Sequence, residues 1–118
     1  MIKVMVLLRR RPDSSAPDFR RHLEETHLPL VARLPGLQRL VANHVQASAG
    51  GGVQPYDAIV EDWFSTPDAM QGAFTGPEGQ AVSRDVPSFI DPDQLRVLVV
   101  EEAEVPLPAR AGGALDVR

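Results

Sequence analysis

What most constrains this chain is the order of its local signals. Four strand-like segments are recognisable, and the first and third each run into a helix that opens on proline. Ile2 to Arg9 sets Ile2, Val4, Val6 and Leu8 against Lys3, Met5, Leu7 and Arg9, a period and composition that fit a pleated sheet. Asp13, Ser14 and Ser15 turn the chain. Pro17 and Asp18 then suit a first helical turn, where a missing N–H costs nothing and a carboxylate meets the positive helix end. Phe19, Leu23, His27, Leu30 and Leu34 recur at spacings of four and three, so a core-facing stripe is expected from about Pro17 to Leu34. Pro35 and Gly36 end that helix.

Leu37 to Gln46 reads as a second strand, and Ala49 to Gln54, with its three consecutive glycines, as a flexible loop. Tyr56 to Phe64 reads as the third strand. Ser65 or Thr66 as cap, Pro67 and Asp68 open a second helix through Ala69, Met70, Ala73 and Phe74. It is expected to break near Gly76 and Pro77, then resume briefly through Ala81, Val82 and Asp85 until Pro87 stops it. Asp91, Pro92 and Asp93 turn into Leu95 to Glu101, the fourth strand.

The order β-α-β-β-α-β is the ferredoxin-like α+β arrangement, a four-stranded antiparallel sheet with both helices on one face. Strand parity puts Tyr56, Ala58, Val60 and Phe64 toward the helices. It puts Asp57, Ile59, Glu61 and Trp63 on the other face, together with Met5, Leu7, Leu40, His44, Leu98 and Val100. So apolar a face calls for cover, and a second copy of the sheet is the economical one. A homodimer is expected, enclosing a cavity that contains His44, Asp57, Glu61 and Trp63. Residues 1–102 make the domain. From Ala103 the proline- and glycine-bearing segment to residue 118 reads as a tail that is mobile or draped over the partner subunit.

At 118 residues one core is expected. A formal charge of -4 gives no general attraction for nucleic acid or anionic lipid, so a small-molecule substrate is favoured. The absence of cysteine excludes disulfides, thiolate metal sites and a cysteine nucleophile. No export signal is legible, no stretch approaches the roughly 18 apolar residues that span a bilayer, and a cytoplasmic protein is expected. Metal binding is not expected: His22 and His27 stand five apart, which on an α-helix puts them on different faces.

His27 is the most informative titratable group, an imidazole on an apolar helical stripe with a pKa naturally close to neutral. Pro29 cannot donate to the carbonyl of Glu25, so the helix is expected to loosen beside it. His27 is read as a general base or acid, or as a structural core histidine. His44 can orient a carbonyl or phenolic oxygen, or sit at the surface near a strand end. Asp57 and Glu61 can supply a carboxylate, or pair with Arg39 or Arg96. Trp63 offers a flat wall to a planar ring, or is simply core or interface. Asp85 can cap or salt-bridge near the pocket mouth, and Phe89 can close it, or both are structural.

The pattern resembles the EthD family within the dimeric α+β barrel superfamily, over roughly Met1 to Glu102. Its marks are Phe19, His27-Leu28-Pro29-Leu30, Leu34-Pro35-Gly36-Leu37 and Arg39. Further along come Tyr56-Asp57-Ala58, Glu61, Trp63-Phe64, Asp85 and Phe89. The resemblance implies a homodimer, one pocket per subunit between sheet and helices, and no metal or organic cofactor. Similar proteins include methylmuconolactone isomerases and polyketide cyclases or dehydratases. Related isomerases carry a tyrosine on the second strand where this chain has Leu40.

On this footing the expected activity is cofactor-independent proton transfer next to a carbonyl in a small cyclic or aromatic oxygenated compound. His27 moves the proton, Leu40, Trp63 and Phe89 shape the site, and His44, Asp57 or Glu61 orient polar atoms. Two alternatives stand beside it. One is a cofactor-free monooxygenase using Trp63 and Asn43, although parity puts Asn43 on the wrong face for the lumen. The other is a non-catalytic ligand-binding or accessory dimer.

Overall fold

β1 (Ile2–Leu8) is the centre around which the sheet assembles, pairing antiparallel with β3 (Ala58–Phe64) on one side and β4 (Arg96–Glu101) on the other. β2 (Leu37–His44) pairs antiparallel with β3, giving the strand order β2-β3-β1-β4. This computed structural model describes residues 1–109. The order is the ferredoxin-like one expected from the alternation of strand and helix signals.

The first helical segment begins where Ser15 accepts a hydrogen bond from the Asp18 amide and Pro17 occupies the first turn. It comprises α1 (Ala16–His22), a π-helical turn (Leu23–His27) and α2 (Leu28–Val31). The expected loosening beside Pro29 therefore takes a definite form. Without an N–H at Pro29, the carbonyl of Glu25 has no helical donor and the ring crowds it, so the turn widens. Gly36, at φ +79, turns the chain into β2.

The second helical segment opens with Thr66 accepting from the Ala69 amide. It comprises α3 (Pro67–Thr75) and α4 (Pro77–Phe89), parted at Gly76 as the sequence suggests. α4 does not stop at Pro87 but carries it to Phe89. Proline removes one donor and does not forbid a last turn that anchors buried Phe89 and Ile90, which are 3% and 0% exposed.

Two adjoining apolar clusters fill the space between helices and sheet. Leu8, Phe19, Leu23, Ala58, Val60 and Phe89 build one, and Val4, Val31, Leu34, Phe64, Ala73 and Val82 the other. The inward residues of β3 are Ala58, Val60, Asp62 and Phe64. That parity is as expected, except that Asp62 belongs to the set.

β2 differs from expectation. A bulge between Leu37 and Arg39 lets two steps along β2 match one along β3, so the strand changes face. Leu37 is inward, and so are Leu40, Ala42 and His44, paired with Asp62, Val60 and Ala58. Arg39, Val41 and Asn43 pair with Trp63, Glu61 and Ile59 on the helix-free face. Leu40 and His44 thus lie opposite to where simple alternation puts them, and Asn43 lies with Trp63. Met5, Leu7, Leu98 and Val100 are on the helix-free face, as expected.

Residues 103–109 are exposed and without regular structure. The remainder of the expected tail, 110–118, lies outside the described residues. Among the described residues no helix is long and apolar enough to cross a membrane.

Candidate functional site

The helix-facing surface of β1, β3 and β4 and the inner faces of the helices do not close completely. Between them lies a cavity of about 250 Å3, walled by valines of the three strands and by Val31, Met70, Phe74 and Val82 from the helices. Val97 and Val99, on the outer strand β4, are about half exposed and flank its open side. Among the described residues its polar lining is His27, Asp62 and Ser83, with no lysine or arginine. An apolar chamber with a few convergent polar groups is what a small-molecule site requires.

His27 is 5% exposed and is held from behind. Its Nδ1 lies 2.9 Å from Asp85 Oδ2, and His22 Nε2 lies 2.9 and 3.0 Å from the two oxygens of the same carboxylate. Ser88 Oγ donates to Asp85 as well. Burial pushes the Asp85 carboxyl up, but the hydrogen bonds from His22, His27 and Ser88 outweigh it and hold the group below its ordinary value. An ionised carboxylate only accepts, so the facing ring nitrogens are its donors. His27 Nε2 takes no part in that bond and keeps its lone pair. Desolvation pushes the His27 imidazole below its ordinary value of 6.5, more than Asp85 raises it, so the ring is neutral at pH 7.

The π-helical turn is what lets two histidines share one aspartate. Residues five apart point about 140° from each other on an α-helix, but a π-turn brings i and i+5 nearly into line. The expectation that His22 and His27 occupy different faces is therefore corrected by the irregularity at residues 23–27. Phe89 stacks on His22, with centroids 4.4 Å apart, lies tilted against His27 at 4.8 Å, and packs on Phe19. It backs the histidine pair and does not line the cavity. Among the described residues no cluster of three potential metal ligands occurs.

Asp62 is the site residue that sequence reasoning missed. It is 2% exposed, lines the cavity, and its Oδ1 is buried with no hydrogen-bond partner. Burial alone pushes this carboxyl up to about 7. The available signal was its parity with Ala58, Val60 and Phe64: a carboxylate in the inward register of an otherwise apolar strand has no ordinary structural reason to be there.

The other expected site residues do not gather around His27. Glu61 and Trp63 are on the opposite face of the sheet. There the Trp63 ring lies between Lys3 Nζ and the Arg39 guanidinium, at 5.0 and 4.6 Å, and its indole N–H donates to Glu102. Glu61 accepts from Lys3 at 2.8 Å and from Asn43 at 3.1 Å, and these bonds, Lys3 first, hold it below its ordinary value. Asp57 stands in the turn before β3, where it accepts from the Arg10 amide. His44 meets Glu24 at 3.2 Å in a separate surface cleft. Leu40 packs against both core clusters behind the cavity wall.

No curated protein matches the chain in sequence. Among solved structures, an EthD family protein of Bacillus halodurans is 25% identical, with a TM-score of 0.77 over 87% of this chain and 99% of its own. A dimeric ferredoxin-like protein of unknown function from Thermobifida fusca is 17% identical, with a TM-score of 0.66 over 84% of this chain and 88% of its own. SnoaB of Streptomyces nogalater, a cofactor-independent oxygenase, is 13% identical, with a TM-score of 0.63 over 92% and 97%. The last two likenesses concern the fold. The EthD domain model matches residues 11–93, a span that holds His22, His27, Asp62, Asp85 and the bulged β2, and the chain belongs to the EthD family.

Proposed function

We propose that the protein is a cofactor-independent enzyme that moves a proton next to a carbonyl group in a small cyclic or aromatic oxygenated compound, in an isomerisation, cyclisation or dehydration. One observation carries this reading: the neutral His27 ring lines an apolar cavity while Asp85 holds its Nδ1, which makes Nε2 the basic nitrogen. Asp85 fixes the tautomer and balances the imidazolium that forms when Nε2 takes the proton. The valine, methionine and phenylalanine walls suit a hydrocarbon ring skeleton.

The test is turnover of lactones and polyketide-like cyclic ketones by wild type, His27→Gln and His27→Ala. A loss of about 10²–10⁴-fold in kcat by both variants, with unchanged unfolding midpoints, is expected for a general base. Unchanged turnover would remove His27 from the chemistry.

A second reading is favoured by the likeness to SnoaB, whose name describes a cofactor-independent oxygenase. Its supposed pair, Trp63 and Asn43, shares the helix-free face and is separated from His27 by the sheet. Oxygen consumption with phenolic substrates, abolished by Asn43→Ala and indifferent to His27→Gln, would make that the activity.

A further inference from the structure

Asp62 is not needed by a mechanism that runs on His27 and Asp85 alone, and as a structural residue it is a poor choice. Its neighbours across the sheet are Val4 on β1 and Leu40 on β2, both apolar. Facing it across the cavity are Met70, Phe74, Val82 and Ser83 from α3 and α4, and the one other titratable lining group is His27. Among the described residues no lysine or arginine lines the chamber to neutralise a carboxylate, and none donates to Oδ1. A buried polar atom in this state destabilises the protein unless something outside the chain satisfies it.

We propose that Asp62 is the second acid–base group of this cavity, presenting a protonated carboxyl to the carbonyl oxygen of a ligand, and that it thereby selects uncharged ketones and lactones over carboxylates. The inference deepens the proton-transfer reading given above and names its substrate class. A protonated carboxyl is a strong donor in a dry site, which is the requirement for holding a carbonyl oxygen as charge develops on it. A ligand carboxylate would enter a chamber in which no lysine or arginine among the described residues faces it, and would lose its hydration uncompensated.

The reaction step then balances within the site. The bond between the α-carbon and its hydrogen breaks and the proton goes to His27 Nε2. The electron pair forms the carbon–carbon double bond, the carbonyl π pair moves to oxygen, and oxygen takes the Asp62 proton. An enol results, flanked by an imidazolium and a carboxylate. His27 then delivers its proton to the same carbon or to the far carbon of a conjugated system, the enol oxygen returns its proton to Asp62 as the carbonyl re-forms, and both residues are restored.

The experiment uses 2-tetralone, an enolisable bicyclic ketone, and 2-naphthoate, a carboxylate of similar size, as probes in NMR titrations of the full chain. Wild type is expected to bind 2-tetralone at least about tenfold more tightly than 2-naphthoate, and Asp62→Leu to weaken the ketone by about tenfold. Asp62→Asn keeps a donor and should stay within a few-fold of wild type. Ketone affinity should fall in wild type as pH rises through about 7, and not in Asp62→Asn. Equal binding of the two probes, undiminished ketone binding by Asp62→Leu, or failure of wild type to take up 2-tetralone would each overturn the inference.

Deuterium exchange at C1 of 2-tetralone separates this inference from the proton-transfer reading. Exchange lost in His27→Gln, with binding retained, supports both. Binding that depends on Asp62 without exchange above the buffer rate upholds the role of Asp62 and defeats the proton-transfer reading.

Discussion

Asp62 weakens the fold at high pH and spares it at low pH. Its carboxyl is raised from 3.8 to about 7 by burial, so the folded state favours the neutral form. The stability tied to that proton is fully present below about pH 4 and is lost as pH rises to about 7, a span of roughly 4 kcal/mol for a shift of this size. Asp62→Leu should therefore stabilise the protein in urea unfolding, by roughly 2–3 kcal/mol more at pH 8 than at pH 5. Equal gains at the two pH values would mean that the carboxyl is not desolvated as described.

Asp85 works in the opposite direction on His27, whose base form it both orients and strengthens. Asp85→Asn is expected to lower kcat about 10–100-fold and to move the acid limb of the pH–rate profile further down, because the carboxylate that favours the imidazolium is gone. A limb that stays in place would separate Asp85 from the histidine. At this scale His27 was legible as a lone imidazole in a 3-and-4 stripe. Its pairing with His22 was not, because a π-turn has no period that the sequence announces.

At the scale of elements, what the sequence could and could not tell follows from local backbone irregularity. Strand order, helix starts and the break at Gly76 were readable because proline, capping residues and alternation act over a few neighbours. The face of Leu40 and His44 was not, since one extra residue near Gln38 reverses every later side chain of β2. The same reversal put Asn43 on the helix-free face, opposite Ile59.

We attribute the π-turn to Pro29. Pro29→Ala restores a donor for the Glu25 carbonyl and should let residues 23–27 tighten toward α-helical geometry. Activity is expected to fall about tenfold or more while stability holds or rises, with changed His22 and His27 ring signals in NMR. Unaltered ring signals would place the origin of the π-turn in tertiary packing instead. Where α3 meets α4, a side chain on buried Gly79 would collide with the Phe74 backbone. Gly79→Ala should cost about 1–3 kcal/mol, and it should loosen the cavity wall that Phe74 provides.

For the molecule as a whole, the sheet has two faces with different tasks. The cavity lies between sheet and helices within one subunit, and not between two sheets around His44, Asp57, Glu61 and Trp63 as strand parity suggests. The helix-free face is less bare than alternation suggests, because Lys3, Arg39 and Glu102 cover Trp63 to 6% exposure. Its apolar exposure falls on β4, where Leu98 is 51% exposed beside Met5 of β1. That region is where we propose that a twofold contact between two copies of the chain forms. A charge at its centre should then break the dimer without touching the chemistry. Leu98→Lys is expected to elute as a monomer by light-scattering chromatography, at lower stability, and still to bind 2-tetralone within a few-fold of wild type. A variant that turns monomeric and loses the ketone altogether would mean that the second subunit completes the cavity past Val97 and Val99, the side on which the isolated chain leaves it open.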